Sequence, residues 1–416
     1  MSAPALWRGE APGRFDVLGG VAHSSGALVL QMPTGATARV EIEPRVGSGA
    51  FAFGSERERT TFHIQGAALH AVFRRPIAEW RDGLDGIGAP LWTRFLMGCL
   101  GVFTRETTWW PDTELRFRVS SDVPRSQGVA SSAALEVATL RALSRASGLQ
   151  LNEKSIARLA WTAENEVVGT PCDISDQLTS VYGERGALLP ILCRPDILGE
   201  PILLPDGVYV VGWPSGVFPS VTNSLAAIDP VALADSPGQT ARTAAFMGRQ
   251  MLESRLGPRE YLCEFAPSKI SPEPPVLLSG QEFTSSLGAL NDSSCHMEDK
   301  RLYPVRASAR FAVEEHFRCQ LAQFLLRGGN AREALPLVGE LLFQSHAGYS
   351  LMGLGTPSTD AMVEAIRALG LGRGFYGART SGSGAGGTVV VLLEGSAVPE
   401  LESLREEFPA SGALMR

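Results

Sequence analysis

The sequence predicts an α+β protein of two domains, on three observations. Its 416 residues exceed a single ordinary core at about 150 residues per domain. Strand-like runs at 115–119, 208–211 and 388–393 mix with helix-like runs at 312–327 and 331–345, without strict βαβ alternation. A stretch at 194–205 containing Pro195, Gly199 and Pro201 reads as the connection between halves, which divides the chain into 1–200 and 201–416.

Near the start, Ala11-Pro12-Gly13-Arg14-Phe15-Asp16-Val17-Leu18-Gly19-Gly20 precedes His23. Arg14 stands between glycine-permitted turns, either as a surface charge or poised to act on phosphate or to orient a carboxylate. His23 is open to a structural, an exposed or a catalytic reading. At 115–119, Leu115, Phe117 and Val119 alternate with Arg116 and Arg118, the period of a half-buried strand that Pro124 then stops. Gly128, Val129, Ala130, Ser131, Ser132, Ala133 and Ala134 follow; then Val137 and Leu140 recur with Ala133 at helical spacing, and Gly148 marks the helix end. Small residues at a strand-to-helix junction let backbone N–H groups close around an anion at the helix N-terminus. The alternative is a helix start merely capped by Ser131 and Ser132. No GxxxxGK[ST] lysine accompanies the loop, which excludes a Walker A motif.

Over 155–177, Ile156, Leu159, Ala160, Ala163 and Val167 form one apolar stripe with Glu164 at its margin. Beyond Gly169 comes a polar loop, Thr170-Pro171-Cys172-Asp173-Ile174-Ser175-Asp176-Gln177, with carboxylates three residues apart. Beside a metal-bound nucleotide, one carboxylate can hold Mg²⁺ and another can accept a proton from an attacking hydroxyl; a solvated helix end with an Asp cap is the plainer reading. The segments 228–239 and 266–275 read as surface excursions. Residues 382–387 match GxGxxG, but the apolar run after them is a strand and not a helix, which rejects a dinucleotide site. These glycines make either a tight hairpin-like turn or a backbone that lies flush against a ligand or another loop.

Composition narrows the function further. A balance of 37 basic and 44 acidic residues without a basic patch argues against nucleic acid. No run of about 18 apolar residues suggests a membrane span, and the N-terminus lacks the pattern of a secretory signal. Six cysteines scattered singly at 99, 172, 193, 263, 295 and 319 suit reduced thiols in a cytosol and disfavour zinc. The expected place is therefore the cytoplasm, and no long internal repeat is present.

Together the segments APGRFDVLGG, VPRSQGVASSAA and GARTSGSGAGG resemble, in order and spacing, the three motifs of the GHMP small-molecule kinases, named for galactokinase, homoserine kinase, mevalonate kinase and phosphomevalonate kinase. The runs GGVAHSSGALVLQMP, ENEVVGTPCDISDQLTS and YPVRASARFAVEEHFR are similar to the sugar-1-kinase branch of galactokinases and L-arabinokinases. The likeness spans about residue 11 to 394. It implies a two-domain fold with the active site in the cleft between the domains, and ATP- and Mg²⁺-dependent phosphorylation of a sugar or sugar-like hydroxyl, most simply the anomeric one. Gly128, Val129, Ala130, Ser131, Ser132 and Ala133 would wrap the ATP phosphates, and Ser132 and Glu164 would hold Mg²⁺. Asp176 would be the general base, or the charge that orients the hydroxyl, with Arg14 beside it. Gly384, within the glycine segment, would close the site.

The departures from the family pattern lie on the acceptor side. Where galactokinases carry Glu, His and Asp after the first motif, this chain reads Gly20, Val21 and His23, following Asp16. Asp173 replaces a glycine, and Ser175 replaces a methionine. Downstream, Gly216-Val217-Phe218-Pro219-Ser220 replaces an Arg-His-Ser segment, and Ala226 lies near an expected Tyr. An imidazole at 23 and a carboxylate at 173 change the hydrogen-bond inventory, so the preferred acceptor is expected to differ from galactose. A ligand sensor without turnover and a kinase of a non-sugar alcohol are the competing readings.

Overall fold

The 17-residue strand β2 (Leu28–Pro44) organises the first sheet. Along its second half Ala38, Val40 and Ile42 are buried while Arg39 is exposed, the two-residue alternation of a sheet with one covered face. Strand β1 (Trp7–Leu18) pairs antiparallel along one side of it. On the other side, β2 pairs with β5 (Leu115–Ser121) from Ala38 onward and with β6 (Ala187–Leu192) over 28–31. Strand β3 (Ala50–Ser55) runs parallel to β5 and antiparallel to β4 (Thr60–Gln65). Two-residue strands β7 (Ile197–Leu198) and β8 (Ile202–Leu203) finish the sheet against β6.

The second sheet starts after Leu203. Strands β9 (Val208–Pro214), β12 (Phe375–Thr380) and β13 (Thr388–Glu394) form an antiparallel sheet in the order β12-β13-β9, and β10 (Leu278–Ser279) and β11 (Leu302–Tyr303) form a small ribbon. The computed structural model describes residues 5–194, 196–218, 236–292 and 295–416. Pro195, Pro219, Ser220, Ala226 and the 228–235 part of one expected excursion lie outside the described residues.

Two cores set the position of the site. Val40, Ile42 and Phe117 pack under Leu96, Leu100 and Phe103 of the Leu91–Thr107 helix and Val137 and Leu140 of the Ser131–Ser147 helix. A second core joins the sheets: Phe15, Val17 and Leu30 meet Leu335, Val338 and Leu342 of the Ala331–Leu351 helix and Val390 and Leu392 of β13. The inner ends of both sheets therefore meet at a seam, and no helix of the described residues is long and apolar enough to cross a membrane.

The strand at 115–119 buries Leu115, Phe117 and Val119, and Gly148 ends its helix in the left-handed conformation at φ 71°. The helix expected over 312–327 begins earlier, at Val305, because buried Val305 and Ala309 carry its stripe on either side of the polar Ser308. The helix expected to stop at 345 runs to Leu351, since His346 and Tyr349 lie on its buried face despite their polar tips. No disulfide links the described cysteines.

His316, on the Val305–Arg327 helix, ties that helix to the first sheet: Leu28 N–H donates to its Nδ1 at 2.8 Å. Burial, with Arg194 nearby, pushes the imidazole down to about 4. The unfolded chain then binds a proton near pH 6.5 that the folded chain refuses until about pH 4, so stability falls as pH drops through that window. His316→Asn keeps an acceptor for Leu28 and cannot titrate. Denaturant unfolding between pH 4 and 7 is expected to show the wild type losing about 1 kcal/mol more than the variant; parallel curves would refute the assignment.

Candidate functional site

The Ser131–Ser147 helix opens without a side-chain cap. Its N-cap is Ala130, held left-handed at φ 54°, and neither serine caps the helix. First-turn N–H groups have no intrahelical partner, so those at 131–133 are left for an anion at the positive end of a 17-residue helix. The plain capping reading of Ser131 and Ser132 is therefore corrected.

Three segments are sewn around this loop by close backbone contacts. Arg14 N–H donates to Val129 O at 3.0 Å. Gly13 is not in a turn: it lies within β1, where a Cβ would sit 2.6 Å from Val129 O. The 382–387 segment satisfies both of its readings, since it joins β12 to β13 as a hairpin and lies flush on the loop. A Cβ on Gly128 would stand 2.9 Å from Ser381 O, and one on Gly382 would stand 2.8 Å from Gly128 O. Both glycines have left-handed φ, 69° and 72°, so a side chain there is excluded by space and by backbone strain.

Arg14 is buried and makes a two-pronged pair with Asp176: Nε donates to Oδ1 and Nη2 to Oδ2, both at 2.8 Å, while Nη1 donates to Gly128 O at 2.6 Å. Burial pulls the guanidinium pKa down, but Asp176 and Asp16 outweigh it and raise it. Asp176 is not in a loop as expected. It sits in the first turn of the Ser175–Tyr182 helix, which the polar run concealed because Gln177, Thr179 and Ser180 are themselves buried. Thr179 Oγ1 donates to Gln31 Oε1 at 2.7 Å, and Gln31 Nε2 donates to Ser175 Oγ at 3.2 Å. The preceding turn is shaped by Asn165, whose Oδ1 accepts from Cys172 N–H at 3.1 Å.

Glu164 is not at a solvated margin. The Glu153–Thr162 helix passes into a π-helical turn, Ala163–Val168, which places Glu164 fully inside. Such turns cluster at functional sites. Burial pushes Glu164 up to about 7, opposed by a hydrogen bond from Ser132. Gln177 Nε2 donates to Glu164 Oε2 at 2.8 Å and to Glu136 Oε2 at 3.4 Å. Glu136, buried one turn beyond Ser132, is raised well above the usual carboxylate range by burial and by Glu164. Excess carboxylate thus gathers beside the loop, although no three His, Cys, Asp or Glu side chains of the described residues form a ready-made metal cage.

Arg14, Gln31, Glu164 and Asp176 line one cavity of about 370 Å³, which also takes in Asp16, His23, Asp173 and Gly384. Gly128, Val129, Ala130, Ser131 and Ser132 line it, whereas Ala133 is buried behind them. His23 and Asp173 do meet, Nδ1 to Oδ2 at 3.8 Å. Gly20 is not on the wall. A Cβ there would strike Tyr349 Oη at 2.1 Å and Arg379 Nη2 at 2.7 Å, so those side chains fill the space. Asp16 Oδ1 accepts from Gly20 N–H at 3.1 Å and stands 3.6 Å from Arg379 Nη1. A larger cavity, about 650 Å³, opens on the far side of Gln127 toward Arg57, Arg185 and Arg416 and contains none of these pairs.

Sequence reasoning missed Glu136, Gln177, Gln31, Tyr349 and Arg379, and the start of the Pro237–Leu256 helix, whose Gly238 and Arg242 line the cavity. Only Glu136 carried a readable signal, a carboxylate four residues after Ser132 on an otherwise apolar helix face.

Residues 94–184 match the GHMP kinases N terminal domain and residues 328–410 the GHMP kinases C terminal domain. The chain is 28% identical to an Arabidopsis thaliana L-arabinokinase over 92% of its own length and 42% of that protein. It is 32% identical to a galactokinase of Roseiflexus sp. (strain RS-1) over 67% of its own length and 61% of that protein. It thus spans less than two thirds of either relative. The crystal structure of Lactococcus lactis galactokinase complexed with galactose shares the fold at a TM-score of 0.71 and 19% identity, covering 96% of this chain and 88% of that one. With the two matches in order along the chain, this protein carries both an N terminal and a C terminal GHMP kinase domain, on a fold that it shares with a galactokinase.

Proposed function

We propose that this protein transfers the γ-phosphoryl group of ATP, with Mg²⁺, to a hydroxyl of a small sugar or sugar-like acceptor, most simply the anomeric hydroxyl. The supporting observation is the cavity in which the uncapped N–H groups at 131–132 and the Arg14–Asp176 pair face one space. The L-arabinokinase and galactokinase relatives supply the reaction class.

The residues fit both groups. At Gly128 a Cβ would strike Ser381 O, so the loop passes there as bare backbone, which suits a main-chain cradle for phosphate. Mg²⁺ binds through one or two protein oxygens plus phosphate and water. Glu164 and the Ser132 hydroxyl are such a pair, and a divalent cation would offset the buried negative charge of Glu164. Bound there, the ion would neutralise charge on the phosphates and align them.

The chain's own groups then position the reactants. The acceptor oxygen forms the new bond to phosphorus, the bond to the departing diphosphate breaks, and the hydroxyl proton passes to the Asp176 carboxylate. Arg14 holds that carboxylate in a fixed plane by two hydrogen bonds and lends positive charge beside the transferring group. In this reading residues 1–200 supply the cradle and Asp176, and residues 201–416 close the site through Gly384. The acceptor is a neutral small molecule, with neither nucleic acid nor membrane as partner, and the enzyme works in the cytoplasm.

Two measurements test this. Purified protein with ATP and Mg²⁺ is expected to phosphorylate at least one member of a panel of sugars, and Asp176→Asn to lower kcat about a thousandfold while calorimetric ATP affinity stays near wild type. Silence of the wild type across the panel, or full turnover by the variant, would discard the proposal. Gly382→Ala should destabilise the protein by about 1–2 kcal/mol and raise the KM for ATP more than that for the acceptor. An unchanged KM for ATP would mean that the seam does not shape the cradle.

A further inference from the structure

We infer that Asp173 is a positioning residue that acts through His23, holding the ring so that its Nε2 accepts a hydrogen bond from a hydroxyl of the substrate. This rests on the phosphotransfer reading above and names how the same site reads its acceptor.

His23 Nδ1 is buried without a hydrogen-bond partner, and the nearest carboxylate oxygen is Asp173 Oδ2 at 3.8 Å. Asp173 is itself anchored: its Oδ1 accepts from Ser175 N–H at 2.8 Å and from the Cys193 thiol at 3.6 Å. That anchoring leaves Oδ2 turned to the ring. A bare nitrogen lone pair facing a carboxylate oxygen is repulsive, so the proton belongs on Nδ1 and the lone pair on Nε2. With Nδ1 covered and the side chain still 31% exposed on the cavity, the Nε2 edge is the part open to a ligand.

The surrounding charges leave this arrangement intact. Arg14 is committed to Asp176 and Gly128 O, and Arg194 donates to Gly26 O at 2.8 Å and lies 3.7 Å from Glu264. The wall thus offers an acceptor at Nε2 with a negative charge behind it. It fits a neutral, hydroxylated ligand whose O–H donates there. A ligand bearing a carboxylate at that position would face Asp173.

A double-mutant cycle tests the coupling. Gln at position 23 puts an amide oxygen near the place of Nε2 without a tautomer to set. With the best acceptor of the panel, His23→Gln and Asp173→Asn are each expected to raise the acceptor KM about tenfold, and the double variant no further than either single one. The KM for ATP should move less than twofold in all three. Nitrogen NMR of the His23 ring should show Nδ1 protonated in the wild type and a tautomer mixture in Asp173→Asn. Multiplying KM effects, a KM for ATP that shifts equally, or an Nε2-protonated ring would overturn the pair while leaving phosphotransfer standing. A wild type that consumes no ATP with any acceptor would remove phosphotransfer and this inference together.

Discussion

The contact on which the rest of the site depends is the Arg14–Asp176 pair. It joins β1 to the Ser175–Tyr182 helix through two 2.8 Å hydrogen bonds, and a third from the same guanidinium, to Gly128 O, fixes the loop before the Ser131–Ser147 helix. Breaking a buried pair by removing one partner leaves an uncompensated charge, a penalty of about 3–5 kcal/mol. The pair is therefore as much a structural joint as a chemical one. Three elements far apart in sequence reach one point because one planar side chain, rooted in the first, has donors for both of the others.

Around that joint, backbone rather than side chain fills the space. Gly13, Gly128 and Gly382 each bring one segment within contact of the next, and a Cβ at any of them would approach a carbonyl oxygen to below 3.0 Å. Ala130 and Ala385 adopt left-handed backbone without being glycine. Strain of this kind persists only where surrounding contacts over-determine it. Here those contacts are the hydrogen bonds from Arg14 N–H to Val129 O, beside Ala130, and from Ala385 N–H to Leu354 O.

Local sequence carried the parts of the fold that depend on local physics. The strand at 115–121 and the helix after the small-residue loop follow from period-two and helical spacing, and Gly148 closes that helix in the expected left-handed form. Asp176 was legible as a residue but not as a helical one, because its helix buries Gln177, Thr179 and Ser180 and so lacks an apolar stripe. Glu164 was legible only as a margin residue, since a π-helical turn rotates it inward and no periodicity announces such a turn. Tyr349 and Arg379 were out of reach of spacing altogether. Their partners lie on β1 and in the segment after it, more than 300 residues away, so only tertiary packing brings them together.

Those two residues hold the backbone after β1 in place from below. Arg379 is fully buried, its three nitrogens make no hydrogen bond among the described residues, and its charge is balanced by Asp16 at 3.6 Å and Glu315 at 3.9 Å. Burial would raise the Glu315 carboxyl, yet Arg318 and Arg379 hold it below the usual range, and it also accepts from Gly19 N–H and the Ser345 hydroxyl. Tyr349 lies under the Arg379 guanidinium, accepts from Val21 N–H at 3.0 Å and donates to Gly382 O at 2.6 Å. The backbone of 19–21 is thus held from beneath by the C-terminal helices and the glycine hairpin, independently of what side chains that segment carries. With its main chain fixed in this way, the imidazole at 23 can stand against the carboxylate at 173 while Arg14 stays bound to Asp176 and to Gly128 O.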